Sequence, residues 1–294
     1  MPPRFVVADA LRILGHTRRT SKQMNLAPAA DYARKHDLHA LLVWRAGELI
    51  HEEYAGGYNR ERPHALYSGT KSFWGIAACL AQREALLELD ERVWSGATVS
   101  ELLSMTAGAP FGGLGRAVPA FQKALASQTV AAPGVKFTYS GIPFQIFGAI
   151  FAQRLAPLGM TPLSYLQTRL FELIDLQYAR WRTLPDGTHT LPTGAELTAA
   201  NWLKYGVYLL GGGPLVARCF TPNTINPRYG LGFWLATLKD GPFVAYASGS
   251  GKQALYVLPS EQTAIVHFAQ SKSFAHETFL RRIYFPPPRV TQPP

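Results

Sequence analysis

With 294 residues, 47% hydrophobic and 16% charged, and a mean hydropathy near zero, the chain has enough apolar material for a sizeable core and one or two domains, which excludes a disordered, fibrous or small disulfide-stapled protein. The formal charge of +10 is spread over single residues and doublets such as Arg18-Arg19 and Arg281-Arg282, without the run that marks a nucleic-acid arm. No stretch approaches the roughly 18 consecutive apolar residues of a membrane-spanning helix, so neither nucleic acid nor membrane is an expected partner.

The opening "MPPRFVVADALRIL" has an apolar stretch broken by Asp9 and Arg12 and no small-residue cleavage signature. A cytoplasmic protein is expected; a true start further upstream would leave room for a signal peptide and a periplasmic destination. Residues 28–37 read as a short helix, and "LHALLVWRAGELIHEEYAGG" alternates apolar and polar residues on both sides of Arg45-Ala46-Gly47, a β-hairpin signal. From Ser68 to about Leu87, Phe73, Trp74, Ala77, Leu80 and Ala81 recur at three and four, which is helical periodicity. "TVSELLSMTAG" reads as a short helix closed by Gly108, with Ser100 as one candidate cap.

Up to about residue 215 helical patterns alternate with Pro and Gly breakers, as in "GIPFQIFGAIFAQRLAPLG" and "LTAANWLKYGVYLLGGG". Beyond it, "RYGLGFWLATL", "PFVAYAS", "QALYVLP" and "TAIVHFAQ" are aromatic and β-branched runs divided by short turns, the signature of consecutive antiparallel strands. A helix over 273–284 and an extended or disordered proline tail follow. Strands at both ends with helices between them predict an α+β fold, in which an antiparallel sheet from 1–66 and 216–294 forms an α/β sandwich and 67–215 form an inserted all-α domain. The cleft between the two is the expected site.

Candidate chemistry concentrates in "ALYSGTKSFWGIAACLAQ", where Ser68 opens an amphipathic helix and Lys71 lies one turn on, on the same face. A serine hydroxyl needs a base within hydrogen-bond reach to act as a nucleophile, and a desolvated lysine is such a base. The bland alternative is Ser68 as a helix cap and Lys71 as a solvated surface residue. Two further stretches bear on the choice: "PGVKFTYSG", containing Tyr139, and the glycine-rich turn in "YASGSGKQALYVLP". Elsewhere, Cys79 and Cys219 belong to no C-x-x-C pair and read as buried free thiols. His36 and His39 lack a third ligand and read as surface residues, so no metal is expected. "SGSGKQ" is not a phosphate loop, having Gln253 where Ser or Thr is needed. Trp181 and Trp234 lie in regions that suit an acyl pocket.

Ser68-Gly69-Thr70-Lys71, Tyr139-Ser140-Gly141 and the glycine-rich strand occur in the order seen in the serine β-lactamase and penicillin-binding-protein superfamily. The chain most resembles its class C-like esterase and 6-aminohexanoate-dimer-hydrolase branch, over about residues 38–270. The resemblance implies a β-lactamase/transpeptidase-like fold and a cofactor-free serine hydrolase acting on a small-molecule ester or amide. In it Ser68 is acylated, and Lys71 and Tyr139 form a hydrogen-bonded pair serving as general base and acid. The backbone N–H groups of Ser68 and Ser250 form the oxyanion hole, and Ser248, Gly249, Gly251, Lys252 and Gln253 meet the substrate.

Two departures bear on substrate. Gly141 replaces the Asn of a Y-x-N motif, and Ala247-Ser248-Gly249 has no cation where K-T-G or H-x-G relatives carry one, leaving Lys252 as a nearby substitute. Both point away from penicillin turnover and toward esters or small amides. A β-lactamase or D-amino-acid peptidase, and a catalytically silent ligand-binding member of the fold, stand as the competing readings. Oligomeric state and natural substrate are not readable from the sequence.

Overall fold

A computed structural model describes residues 24–285, so the opening segment and the proline tail lie outside the described residues. The first helix, α1 (Ala27–Arg34), precedes the expected hairpin of β1 (Leu38–Arg45) and β2 (Glu48–Tyr54). Its two-residue turn has φ of 47° at Ala46 and 101° at Gly47, the positive pair whose twist suits antiparallel strands. A short strand β3 (His64–Ala65) leads into a 3₁₀ turn, Tyr67–Thr70, and then into α2 (Lys71–Arg83). The expected helix from Ser68 to Leu87 is thus shorter at both ends. Tyr67 (φ 47°) tightens the entry, and Ala85 (φ 55°) ends the helix with a left-handed residue.

The hairpin β4 (Arg92–Trp94) and β5 (Ala97–Thr98) runs directly into α3 (Val99–Leu103). Its cap is Thr98, not Ser100: Thr98 and Glu101 form a reciprocal capping box, while the Ser100 hydroxyl donates to Asp90. Nor does Gly108 close this helix, which stops at Leu103 before the left-handed Met105 (φ 64°). Helices α4 (Phe121–Leu125), α5 (Ile142–Leu155) and α6 (Pro162–Leu166) follow, then β6 (Arg180–Trp181), β7 (Ala195–Leu197), α7 (Ala199–Leu210) and α8 (Gly213–Cys219). The chain finishes with β8 (Trp234–Thr237), β9 (Phe243–Gly249), β10 (Gln253–Leu258), β11 (Thr263–Ala269) and α9 (His276–Tyr284).

Strands β1, β2 and β8 to β11 make one six-stranded antiparallel sheet in the order β2-β1-β11-β10-β9-β8, so the N-terminal hairpin is completed by the C-terminal meander, while β3-β7-β6 and β4-β5 form two small separate sheets. Strands β10 and β11 are buried at every position, which is why they read as continuous apolar runs rather than alternating ones. Ala254, Tyr256 and Leu258 face α1 and α9, whereas Leu255 and Val257 face the larger core built around α2, α5 and α7. There Trp202 of α7 stacks on Phe268 of β11 at 5.5 Å, a contact contributing about 1 kcal/mol beyond its buried area. The outer strand β2, exposed over its first three residues and half-buried beyond, carries Glu48, Glu52 and Glu53, charges that discourage edge-to-edge pairing. No helix among the described residues is long and apolar enough to cross a membrane.

Candidate active site

Ser68 sits in the 3₁₀ turn, at the N-terminal end of α2, where backbone N–H groups and the helix dipole favour negative charge. The turn is held from outside: Leu66 N donates to Ala195 O at 2.9 Å, and Ala195 N donates to the Thr70 hydroxyl at 3.2 Å. Within it the three-residue spacing does what it promised, and Lys71 Nζ donates to Ser68 Oγ at 2.8 Å. The surface alternative for Lys71 is excluded, since the side chain is fully buried.

Its other hydrogen bond runs to Pro192 O at 3.1 Å, and the faces of Tyr139 and Phe144 close over it, 5.1 and 5.8 Å from the ring centroids. Without a compensating carboxylate, burial pulls the ammonium down to about 7. Near neutral pH a large fraction of Lys71 is therefore the free amine, able to accept the Ser68 proton.

Tyr139 stands with Ser68 in the lining of one cavity. Its segment is pinned by Thr138 N donating to Met105 O, and by the Ser140 hydroxyl donating to Pro110 O and Gly112 O, each at 2.9 Å. The phenol is close enough to interact with the Ser68 hydroxyl, and its ring stacks on the Trp234 indole at 5.2 Å. Burial raises its pKa, so it is a protonated donor at neutral pH. The expected direct Lys71–Tyr139 hydrogen bond is not formed: Lys71 Nζ lies 5.1 Å over the Tyr139 ring and donates instead to Ser68 Oγ. Gly141, the N-cap of α5, has Gly113 O only 1.8 Å from where a Cβ would stand. An Asn is sterically impossible there without moving the 112–113 backbone.

The end of β9 forms the opposite wall. Gly249 lies so close to the turn that carries Ser68 that a Cβ would approach Leu66 O to 2.0 Å, and this contact brings Ser250 beside Ser68. A cavity of about 340 Å³ is lined by Ser68, Tyr139, Ser248, Gly249 and Ser250 together with Trp234, Tyr246 and His276. Gly251, Lys252 and Gln253 are not among the lining residues. Gln253 is buried, and its amide bridges Ala269 N and Ala269 O on β11, a structural rather than a substrate contact. Ala247, at the position that carries a cation in K-T-G relatives, packs into the core.

Tyr246 and His276 had no motif to announce them; His276 arrives from the start of α9. Trp181 does not line the cavity: it is buried against Phe73, Trp74 and Phe171, with its indole N–H donating to Thr190 O. Cys79 and Cys219 are free and buried as expected, and are in contact at 3.7 Å between sulfurs. His39 is half-buried rather than on the surface, stacked on Tyr58 and 3.1 Å from the His64 ring nitrogen.

The family model described as Beta-lactamase matches residues 35–284. Among solved structures the chain is similar to a Bacillus anthracis protein provisionally designated a 6-aminohexanoate-dimer hydrolase, at 19% identity and a TM-score of 0.71, covering 91% of this chain and 86% of that one. It is also similar to a D-stereospecific amidohydrolase from Streptomyces sp. (15%, TM-score 0.71, 89% and 99% covered). A third is a penicillin-binding protein from Bacillus halodurans (17%, TM-score 0.66, 87% and 98% covered). At these identities the likeness is one of fold, here the α+β β-lactamase fold. No curated protein matches the sequence.

Proposed function

The chain belongs to the β-lactamase family, and we propose that it is a serine hydrolase cleaving carboxylic esters or small amides through an acyl-enzyme on Ser68. The observation that carries this reading is the fully buried Lys71, 2.8 Å from the Ser68 hydroxyl and without a carboxylate partner. As the amine, Lys71 takes the Ser68 proton while Oγ adds to the substrate carbonyl. The oxyanion that forms accepts hydrogen bonds from the Ser68 and Ser250 backbone N–H groups. Collapse of this intermediate breaks the bond to the leaving group, which receives the Tyr139 proton. The Lys71 ammonium restores that proton, and the acyl-enzyme remains. Water entering the vacated position loses a proton by the reverse route and releases the acid.

Esters are favoured over β-lactams and D-amino-acid amides by what the cavity lacks. Among the described residues no Lys or Arg lines it to meet a penicillin carboxylate and no Asp or Glu to meet a free amine, and position 141 has no side-chain amide. The test is p-nitrophenyl butyrate hydrolysis by wild type and Ser68→Ala at matched folding, with fluorophosphonate labelling alongside. Turnover and labelling lost together in the variant are the expected result. Labelling that persists in Ser68→Ala would remove Ser68 as nucleophile.

A further inference from the structure

The cavity wall contains a second polar array that this mechanism does not use. The Tyr256 hydroxyl lies 2.6 Å from His276 Nδ1, and His276 Nε2 lies 3.3 Å from the Ser248 hydroxyl, which faces the cavity with Ser68. Tyr256 is fully buried, and its ring stacks on Phe279 while His276 packs between Tyr246 and Phe274. Burial and the nearby Lys252 ammonium keep the imidazole neutral, and burial keeps the phenol protonated.

The direction of the hydrogen bonds then follows from donor strength. A phenol O–H is a stronger donor than the N–H of a neutral imidazole, so Tyr256 donates to Nδ1 and the imidazole proton sits on Nε2. That N–H donates to Ser248 Oγ, leaving the Ser248 hydrogen to point into the cavity. Chains aligned in this way strengthen each successive donor. A neutral donor backed by aromatic rings suits an uncharged oxygen, whereas a carboxylate would lose its hydration with no cation among the described lining residues to contact it, the Lys252 ammonium standing outside that lining.

We propose that Ser248, polarised through the positioning residues His276 and Tyr256, sets specificity by hydrogen-bonding an uncharged oxygen acceptor on the substrate beyond the reacting carbonyl. This inference rests on the hydrolase reading above. It makes the preferred substrates small keto, ether or ester-bearing esters rather than plain alkyl or carboxylate-bearing ones.

The test uses three near-isosteric p-nitrophenyl esters: levulinate with a ketone oxygen, pentanoate with a methylene in its place, and hemisuccinate with a carboxylate, each corrected with Ser68→Ala as blank. Wild type is expected to prefer levulinate over pentanoate by about tenfold in kcat/KM, carried by KM, with hemisuccinate poorest. Ser248→Ala and His276→Phe should bring the levulinate-to-pentanoate ratio close to one, Tyr256→Phe should lower it, and Ser248→Thr should retain it. Rates are normalised to sites titrated with fluorophosphonate, so a misfolded variant does not distort the ratio. A ratio near one in wild type, a ratio untouched by Ser248→Ala and His276→Phe, or a preference for hemisuccinate overturns the inference while the Ser68 chemistry stands. Labelling of Ser68 without turnover of any of the three esters also overturns it. Absence of both labelling and turnover overturns the hydrolase reading and this inference with it.

Discussion

Replacing Lys71 by methionine should make the protein more stable and inactive. The side chain is fully buried and hydrogen-bonded only to Ser68 and Pro192, and burial lowers its pKa from 10.5 to about 7. A gap of that size corresponds to about 5 kcal/mol against the ammonium form, of which roughly 4 kcal/mol is felt at pH 7. Methionine keeps most of the volume and removes this cost, while leaving the Pro192 carbonyl unpaired at roughly 1–2 kcal/mol. The net gain is about 2–3 kcal/mol, or a melting temperature higher by roughly 3–5 °C for a chain of this size. Because the folded pKa lies below the unfolded one, the unfolded chain binds the extra proton between about pH 7 and 10.5. Wild-type stability relative to the variant therefore rises across that window, and the advantage of Lys71→Met should vanish near pH 10. Urea unfolding of both proteins at pH 7 and pH 10, followed by circular dichroism, measures it, with ester turnover expected to fall about a hundredfold or more. A variant less stable than wild type at pH 7, or a difference that ignores pH, would refute the argument.

The same ionisation predicts the rate profile: kcat/KM for p-nitrophenyl butyrate should climb with pH through about 7 as Lys71 loses its proton, and a flat profile from pH 6 to 9 would remove Lys71 as base. Gly141→Asn should not confer nitrocefin turnover despite restoring the Y-x-N pattern, and thermal melts should show a loss of stability, because Gly113 O occupies the Cβ position. His267 is fully buried with its pKa lowered from 6.5 to about 3, so the stability it protects is complete above pH 6.5 and declines as pH falls. By pH 4 the loss from this residue is about 3 kcal/mol. His267→Phe should flatten the unfolding free energy between pH 6.5 and 4, and an unchanged slope would contradict this account of His267.

The parts of the site legible in the sequence are those set by local geometry or by a motif. Ser68 and Lys71 are one helical turn apart, and Tyr139 is marked by its flanking residues. The burial of Lys71 depends on a carbonyl at Pro192, 121 residues away, and no local pattern encodes it. His276 is hidden for the same reason, since α9 reaches the cavity only because the sheet carries it there. Gln253 misled because a polar residue after a glycine-rich turn looks solvated, whereas the strand it opens is buried on both faces. The α3 cap is different: Thr98-Val99-Ser100-Glu101 is a readable capping-box pattern, and the choice of Ser100 overlooked Glu101.

The pairing of β1 with β11 joins segments more than two hundred residues apart, and Asn25 N donates to Ile283 O at 3.0 Å, so α1 and α9 meet beside each other. On a ribosome the first hairpin emerges long before its partner strand, and at about 5–20 residues per second it waits tens of seconds with an unpaired edge. The acidic β2 shields only its outer side, leaving β1 as the edge a chaperone would have to cover. A circular permutant that fuses the two ends and opens in the exposed β1–β2 turn would place β1 about sixty residues after β11 in the chain. It would shorten that delay to seconds while leaving the assembled sheet unchanged.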